Sequence, residues 1–129
     1  MSSALDTIRG VYDAFARGDI PAVLAALDAK ASWTEAEGFP YAGTYIGHDA
    51  ILNEVFMKLG TEWEGFSAVP HEFVAEGDTV VAIGTYGGRY RKTGRRFSAP
   101  FAHVWNLEGG KAVRFRQFTD TAVVQSAIR

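Results

Sequence analysis

Apolar residues near the start of the chain recur at helical spacing. Leu5, Ile8, Val11, Tyr12 and Phe15 fall on one face of a 3.6-residue repeat. Ser2 or Ser3 stands where an N-cap is needed, and Gly18 ends the run. Asp19 followed by Pro21 reads as a fresh cap with proline in the first turn, so a second, short helix is predicted from Pro21 to about Leu27. Residues 31 to 37 read as a strand. Residues 38 to 47, punctuated by Gly38, Pro40, Gly43 and Gly47, read as a loop. Ile51, Leu52, Val55, Phe56 and Leu59 form the stripe of a third helix, from about His48 to Leu59.

After Gly60 the pattern changes. Residues 66–75, 79–91, 96–107 and 111–119 are rich in Val, Phe, Tyr and Thr. They are separated by Glu76-Gly77-Asp78, Thr93-Gly94 and Glu108-Gly109-Gly110, which are hairpin turn signals. Asp120 stands where it would cap a closing helix from Thr121 to Ile128. The predicted class is α+β: three helices with one strand among them, then a four-strand antiparallel meander, with helices on one face of a curved sheet.

Composition adds limits. At 129 residues the chain suits one domain, 1–129, with one core. Hydrophobic residues make up 47%, among them nine Phe, five Tyr and three Trp, enough for both a packed core and a lined cavity. The formal net charge of −2 argues against a nucleic-acid partner. There is no cysteine, which removes disulfides, thiolate nucleophiles and thiolate metal sites. No apolar run approaches the roughly 18 residues of a membrane span. Met1 to Asp6 lacks the basic-then-apolar order of a signal peptide, so a cytoplasmic location is expected.

Five segments carry a family resemblance: Val11-Tyr12-Asp13-Ala14-Phe15-Ala16-Arg17-Gly18-Asp19, Ala31-Ser32-Trp33-Thr34-Glu35, Gly47-His48-Asp49-Ala50-Ile51, Ala99-Pro100-Phe101-Ala102-His103, and Gly110-Lys111-Ala112-Val113 running into Arg116-Gln117-Phe118-Thr119-Asp120. In this order and spacing the chain resembles the nuclear transport factor 2-like superfamily, in its SnoaL-like and ketosteroid-isomerase-like branch. The resemblance implies a cone-shaped barrel, a curved and mostly antiparallel sheet packed against three N-terminal helices. It also implies a pocket on the sheet's concave face and a homodimer formed through the other face.

Residue by residue, the resemblance divides. Glu35 falls where ketosteroid isomerase has its carboxylate base, which shuttles a proton beside a carbonyl while an oxyanion hole holds the enolate. The oxyanion-hole positions do not match: they fall on Val11, with Tyr12 one place off, on Val55 and on Ala102. A base without its oxyanion donors loses several powers of ten in rate, so steroid isomerisation is not expected. Arg116-Gln117 stands where limonene-epoxide-hydrolase relatives carry arginine and the catalytic aspartate; Gln orients a water or a carbonyl but does not take a proton. For SnoaL-like cyclases, the nearest counterparts of their histidine and aspartate are His103 and either Gln117 or Asp120.

The expected activity is cofactor-free acid/base chemistry on a small, mostly apolar, oxygen-bearing molecule: isomerisation, cyclisation or dehydration beside a carbonyl. Glu35 is the candidate base, because a carboxylate on an apolar pocket wall loses water and its pKa rises. In the other reading Glu35 sits at a wet mouth or pairs with Arg114 or Arg116. His103 and Asp120 are candidate acids, with Asp120 alternatively the helix cap. Trp33, Phe115, Tyr12, Phe15 and Phe56 are candidate walls, Ala102 a pocket position by resemblance, and Gln117 the amide that orients the substrate oxygen. If Ala102 faces the pocket, strict alternation turns Phe101, His103 and Trp105 to the dimer face, and a bulge would reverse this. The loop 38–47 either forms a lid whose Tyr41 or Tyr45 donates to a ligand oxygen, or packs to complete the core. His48 and His71 read as capping or surface residues, and the three histidines show no metal-ligand spacing. The basic residues Arg89, Arg91, Lys92, Arg95 and Arg96 read as a solvated hairpin tip. Two rival functions remain: a non-catalytic binder of an apolar metabolite, and a dimeric interaction domain with a filled core.

Overall fold

The computed structural model describes residues 3–129; the alternative cap at Ser2 lies outside them. Helix α1 (Ala4–Ala16) opens on a capping box, with the Ser3 hydroxyl accepting from the Asp6 amide at 3.1 Å and the Asp6 carboxylate accepting from the Ser3 amide. It buries Ile8, Val11, Tyr12 and Ala14. Asp19 caps α2 (Ile20–Ala25), which ends before the predicted Leu27 because Leu27 already belongs to the first strand. Helix α3 spans residues 48–62 without a break. An α turn (His48–Ile51) passes into a π-helical stretch (Leu52–Phe56) and back to α (Met57–Glu62). The wide turn carries Val55 and Phe56, both buried. Helix α4 (Thr121–Ile128) is capped by the Asp120 carboxylate, which accepts from the Val123 amide at 3.2 Å.

Six strands form one curved sheet that does not close: β1 (Leu27–Glu35), β2 (Gly43–Ile46), β3 (Trp63–Glu76), β4 (Thr79–Tyr90), β5 (Arg96–Glu108) and β6 (Lys111–Thr119). Their spatial order is β2-β1-β6-β5-β4-β3. The meander β3–β6 is antiparallel as predicted, and all three turn signals fall between its strands. Two features differ from the sequence reading. β1 starts four residues earlier than predicted and pairs parallel with β6. The segment read as a loop contains β2, which pairs antiparallel with β1, Trp33 opposite Tyr45 and Glu35 opposite Gly43. A four-residue edge strand flanked by glycines has no periodicity of its own. It exists because β1 offers it a ladder.

Alternation sorts the meander into two faces. On β5, Phe97, Ala99, Phe101, His103, Trp105 and Leu107 are buried against the helices, while Ala102 and Val104 face outward. The core is anchored by the fully buried Trp63, Trp105, Ile8, Ile51, Val23, Val55, Val80 and Val124. The outer face is also apolar: Ile83, Ala102 and Phe118 lie in one cross-strand row, with Ile83 and Phe118 exposed.

Gly84 marks where the sheet is tightest. A Cβ there would lie 2.2 Å from the Val69 carbonyl oxygen and 2.5 Å from the Phe101 ring. The register shift on β3 between Pro70 and Glu72 sits beside it. Gly84→Ala must therefore move backbone, and a loss of about 2–3 kcal/mol or more is expected. Urea unfolding of the two proteins checks this; an unchanged midpoint would show that the bulged strand yields freely.

Candidate functional site

A cavity of about 50 Å³ lies between α1, α3 and the concave face of the sheet, room for only a few water-sized groups. Its wall is largely aromatic. Trp33 stacks on Phe115 with ring centroids 3.8 Å apart and meets Phe56 and Trp105 edge-on. Phe15 from α1, with Val55, Phe56 and Leu59 from α3, closes the helical side.

Glu35 is the last residue of β1. Alternation places Ala31, Trp33 and Glu35 on the inner face, so the carboxyl enters the cavity wall with only 4% of its surface exposed. Among the described residues its Oε2 has no hydrogen-bond partner, and neither has the nearby Trp33 indole N–H. Burial pushes the Glu35 carboxyl up to about 8; the indole N–H, close but short of hydrogen-bond geometry, works against that rise. No ion pair joins Glu35 to Arg114 or Arg116 among the described residues.

Beside Glu35 runs a polar chain. His103 Nδ1 lies 2.6 Å from the Tyr12 hydroxyl and Nε2 lies 2.5 Å from the Tyr86 hydroxyl. The Trp105 indole donates to Tyr12 at 3.0 Å, and the Gln117 amide donates to Tyr86 at 2.9 Å. Gln117 Oε1 accepts from the Ala36 backbone N–H at 2.9 Å, which ties the chain to the end of β1. His103 stacks on Phe101 at 4.0 Å and meets Phe115 edge-on, and among the described residues no charged group acts on the imidazole. Burial holds it down at about 3, neutral at physiological pH. Burial raises the Tyr12 and Tyr86 phenols, and the Glu35 carboxylate raises Tyr86 further.

The structure brings together Glu35, His103, Gln117, Trp33, Phe115, Tyr12, Phe15 and Phe56 from the sequence reading. It does not bring the others. His103 faces the cavity and Ala102 faces outward, reversing the orientation that followed from placing Ala102 in the pocket. No bulge intervenes: β5 alternates without interruption across these residues, and the inherited register was one residue off. Asp120 is an exposed helix cap. Tyr41 is buried but away from the cavity, donating to Glu62 at 2.5 Å and accepting from the Trp63 indole at 3.0 Å. The Tyr45 hydroxyl donates to the Tyr41 carbonyl at 2.7 Å. Segment 38–47 is thus packed rather than a free lid, and Gln125 further holds the Gly38 carbonyl at 2.7 Å. Its contribution to the cavity is Phe39. Gln117 has both ends of its amide engaged within the protein.

Tyr86 is the main residue the sequence reading missed. It shares the inner face of β4 with Val80 and Ala82, so alternation counted from Val80 reaches it. His48 Nε2 donates to the Leu27 carbonyl at 2.9 Å, and His71 Nε2 shares a hydrogen bond with the Thr85 hydroxyl at 2.8 Å, both as local contacts. At the hairpin tip, Arg89 and Arg91 pair with Glu64 at 2.9 and 3.7 Å. No helix among the described residues is long and apolar enough to cross a membrane.

Residues 8–115 match the SnoaL-like domain family. The chain superposes on the crystal structure of an NTF2-like protein from Burkholderia thailandensis E264 with a TM-score of 0.97 and 41% identity, over 100% of this chain and 99% of that one. An NTF2-like protein of unknown function from Burkholderia pseudomallei K96243 gives 0.91 and 35%, over 99% and 98%. TerC, co-crystallized with polyporic acid, gives 0.89 and 29%, over 98% of each chain. A search of curated proteins found no match.

Proposed function

This chain belongs to the SnoaL-like family, and from that premise we propose that it is a cofactor-free enzyme transferring a proton beside a carbonyl of a small, mostly apolar substrate. The observation that carries this reading is Glu35, a fully buried carboxyl with an unpartnered oxygen on an aromatic cavity wall. A carboxyl held at about 8 changes protonation near neutral pH, where a general acid/base works best. Glu35 in its ionised form takes the proton and in its protonated form returns it: to another carbon in isomerisation, to the alkoxide formed when the enolate carbon attacks a second carbonyl of the same molecule in cyclisation, or to a departing hydroxyl that leaves as water in dehydration. Trp33 and Phe115 clamp the apolar part of the substrate. Substrates are sought by screening small enolisable ketones for proton exchange at the carbon beside the carbonyl, in deuterated buffer. Exchange that depends on Glu35 supports the reading; exchange at equal rates in Glu35→Gln removes it.

One observation favours a second reading. The cavity, at about 50 Å³, is well below the roughly 300 Å³ or more of ordinary ligand pockets. A dimeric interaction domain with a nearly filled core fits that volume. Absence of any ketone or hydrocarbon binding would select it, and tight binding of ketones without exchange would instead select a non-catalytic binder.

The oligomer is proposed on the outer face. The row Ile83–Ala102–Phe118 and the neighbouring Val74 and Val104 form an apolar surface suited to a second copy of this chain. Light scattering should report a homodimer, and Phe118→Glu should make it monomeric with the cavity intact. A monomeric wild type at micromolar concentration would exclude that interface.

A further inference from the structure

The two phenols and the imidazole of the polar chain beside Glu35 hold one hydrogen more than the links between them can use. Both ends of that chain are fixed donors. The Trp105 indole nitrogen can only donate, so Tyr12 Oη accepts from it. The Ala36 backbone nitrogen can only donate, so its partner must be the Gln117 carbonyl oxygen, which turns the Gln117 NH₂ toward Tyr86. Four links join the chain: Trp105–Tyr12, Tyr12–His103, His103–Tyr86 and Gln117–Tyr86. The two end links take their hydrogens from Trp105 and Gln117. The two inner links need two hydrogens, but three groups supply one each: the two phenols and a neutral imidazole. The tyrosine that accepts from the imidazole is left with an O–H that no group of the chain can accept. If Nδ1 carries the proton, the spare hydrogen is on Tyr12; if Nε2 carries it, the spare hydrogen is on Tyr86. An imidazolium would free both.

The surroundings choose between the two. The Tyr12 ring packs against Phe73, Phe101 and Trp105, and among the described residues no carboxylate acts on its hydroxyl. Tyr86 borders Glu35, whose Oε2 is unpartnered, yet the two side chains make no direct hydrogen bond. We propose that Tyr86 presents its spare O–H to the cavity beside Glu35 and that the ligand of this site carries an oxygen that only accepts, a carbonyl or its enolate, seated between those two side chains. The unpartnered Trp33 N–H adds a second donor to the same wall. His103 in this arrangement is a positioning residue: it stays neutral, takes the Tyr12 hydrogen at Nδ1 and gives its own from Nε2 to Tyr86. This deepens the proposed function by naming the donor and the ligand oxygen, and rests on that reading only for the site's identity.

The test uses two small molecules of the same shape, acetone and isobutene, and needs no turnover. The expected result is that the ketone binds at least tenfold more tightly than the hydrocarbon. Its carbonyl stretch should move to lower frequency than in an apolar solvent. Nitrogen-15 NMR of His103 in the complex should show Nε2 protonated and Nδ1 bare. In Tyr86→Phe the carbonyl shift and the ketone preference should fall, while hydrocarbon binding stays the same. Because that variant releases the Gln117 NH₂, 3-fluorotyrosine at position 86 is the companion: it keeps the ring in place and makes the phenol a stronger donor. It should move the carbonyl stretch further down, and it serves alone if Tyr86→Phe fails to fold. No ketone preference, a carbonyl frequency equal in wild type and both variants, or Nδ1 protonated in the complex overturns the proposal. Loss of exchange chemistry with these signatures retained would overturn only the enzyme reading.

Discussion

Glu35→Gln should remove proton-transfer activity by about 10²–10⁴-fold and, at the same time, make the protein more stable at alkaline pH. Both effects have one cause. An ordinary carboxyl ionises at 4.5, but burial holds this one protonated to about 8. Below 4.5 both folded and unfolded chains carry the proton, and Glu35 adds no pH dependence. Between 4.5 and 8 the unfolded chain releases it and the folded chain does not, so folding stability falls as pH rises, by about 5 kcal/mol over the window. Glutamine has no charge to bury. At pH 8.5 the variant should therefore unfold at clearly higher urea than wild type, and at pH 4 the two should nearly coincide. Activity in the wild type should follow the ionised fraction, rising tenfold per pH unit until it levels near 8. Equal stability at pH 8.5 would mean that Glu35 is solvated, and the general-base mechanism would fall with it.

The second large effect is the shape of the stability curve on the acid side. His103 titrates at 6.5 when exposed and near 3 in the fold, again because burial opposes the charged form. Between 6.5 and 3 the unfolded chain binds a proton that the folded chain refuses. Stability is thus complete above 6.5 and is lost as pH falls, by about 5 kcal/mol down to 3. The two residues act with opposite sign where their windows overlap, between 4.5 and 6.5, and there they cancel. The wild type should show a plateau across that range and a decline on each side. His103→Gln should flatten the acid limb alone, and Glu35→Gln the alkaline limb alone. A curve that peaks at pH 8, or variants that flatten the wrong limb, would show that these two side chains are not the buried pair that sets it.

Much of this architecture was legible from local patterning. The cap residues Ser3, Asp19 and Asp120 and the three glycine-bearing turns define their elements through short-range chemistry, and each acts where the sequence reading put it. β2 was not legible, because its four residues become a strand only by pairing with β1. The parallel β1–β6 pairing was equally hidden, since nothing in either segment encodes its partner. In the site, Glu35 and Trp33 stood out because a carboxylate among apolar alternating residues is unusual. The orientation of β5 was lost because the family register, carried over at Ala102, overrode the plain alternation that buries Phe101, His103 and Trp105. Tyr86 was missed because no single residue marks it; its role comes from partners on β5 and β6, 17 and 31 positions away. Hydrogen-bond networks built across strands are a tertiary property, and hydrophobic periodicity does not report them.

The parallel pairing of β1 with β6 also decides when the cavity comes into being. Each hairpin of the meander closes over a short turn, but joining Leu27 to Ala112 or Trp33 to Phe115 requires the ends of a loop of about 80 residues to meet, which costs more chain entropy and slows their encounter. Trp33, Glu35 and the Ala36 amide that orients Gln117 all arrive with that late strand. A chain with a finished meander but no β1–β6 pairing thus holds His103 and Tyr86 in one sheet without Glu35 beside them, and any chemistry of the proposed centre waits for that pairing.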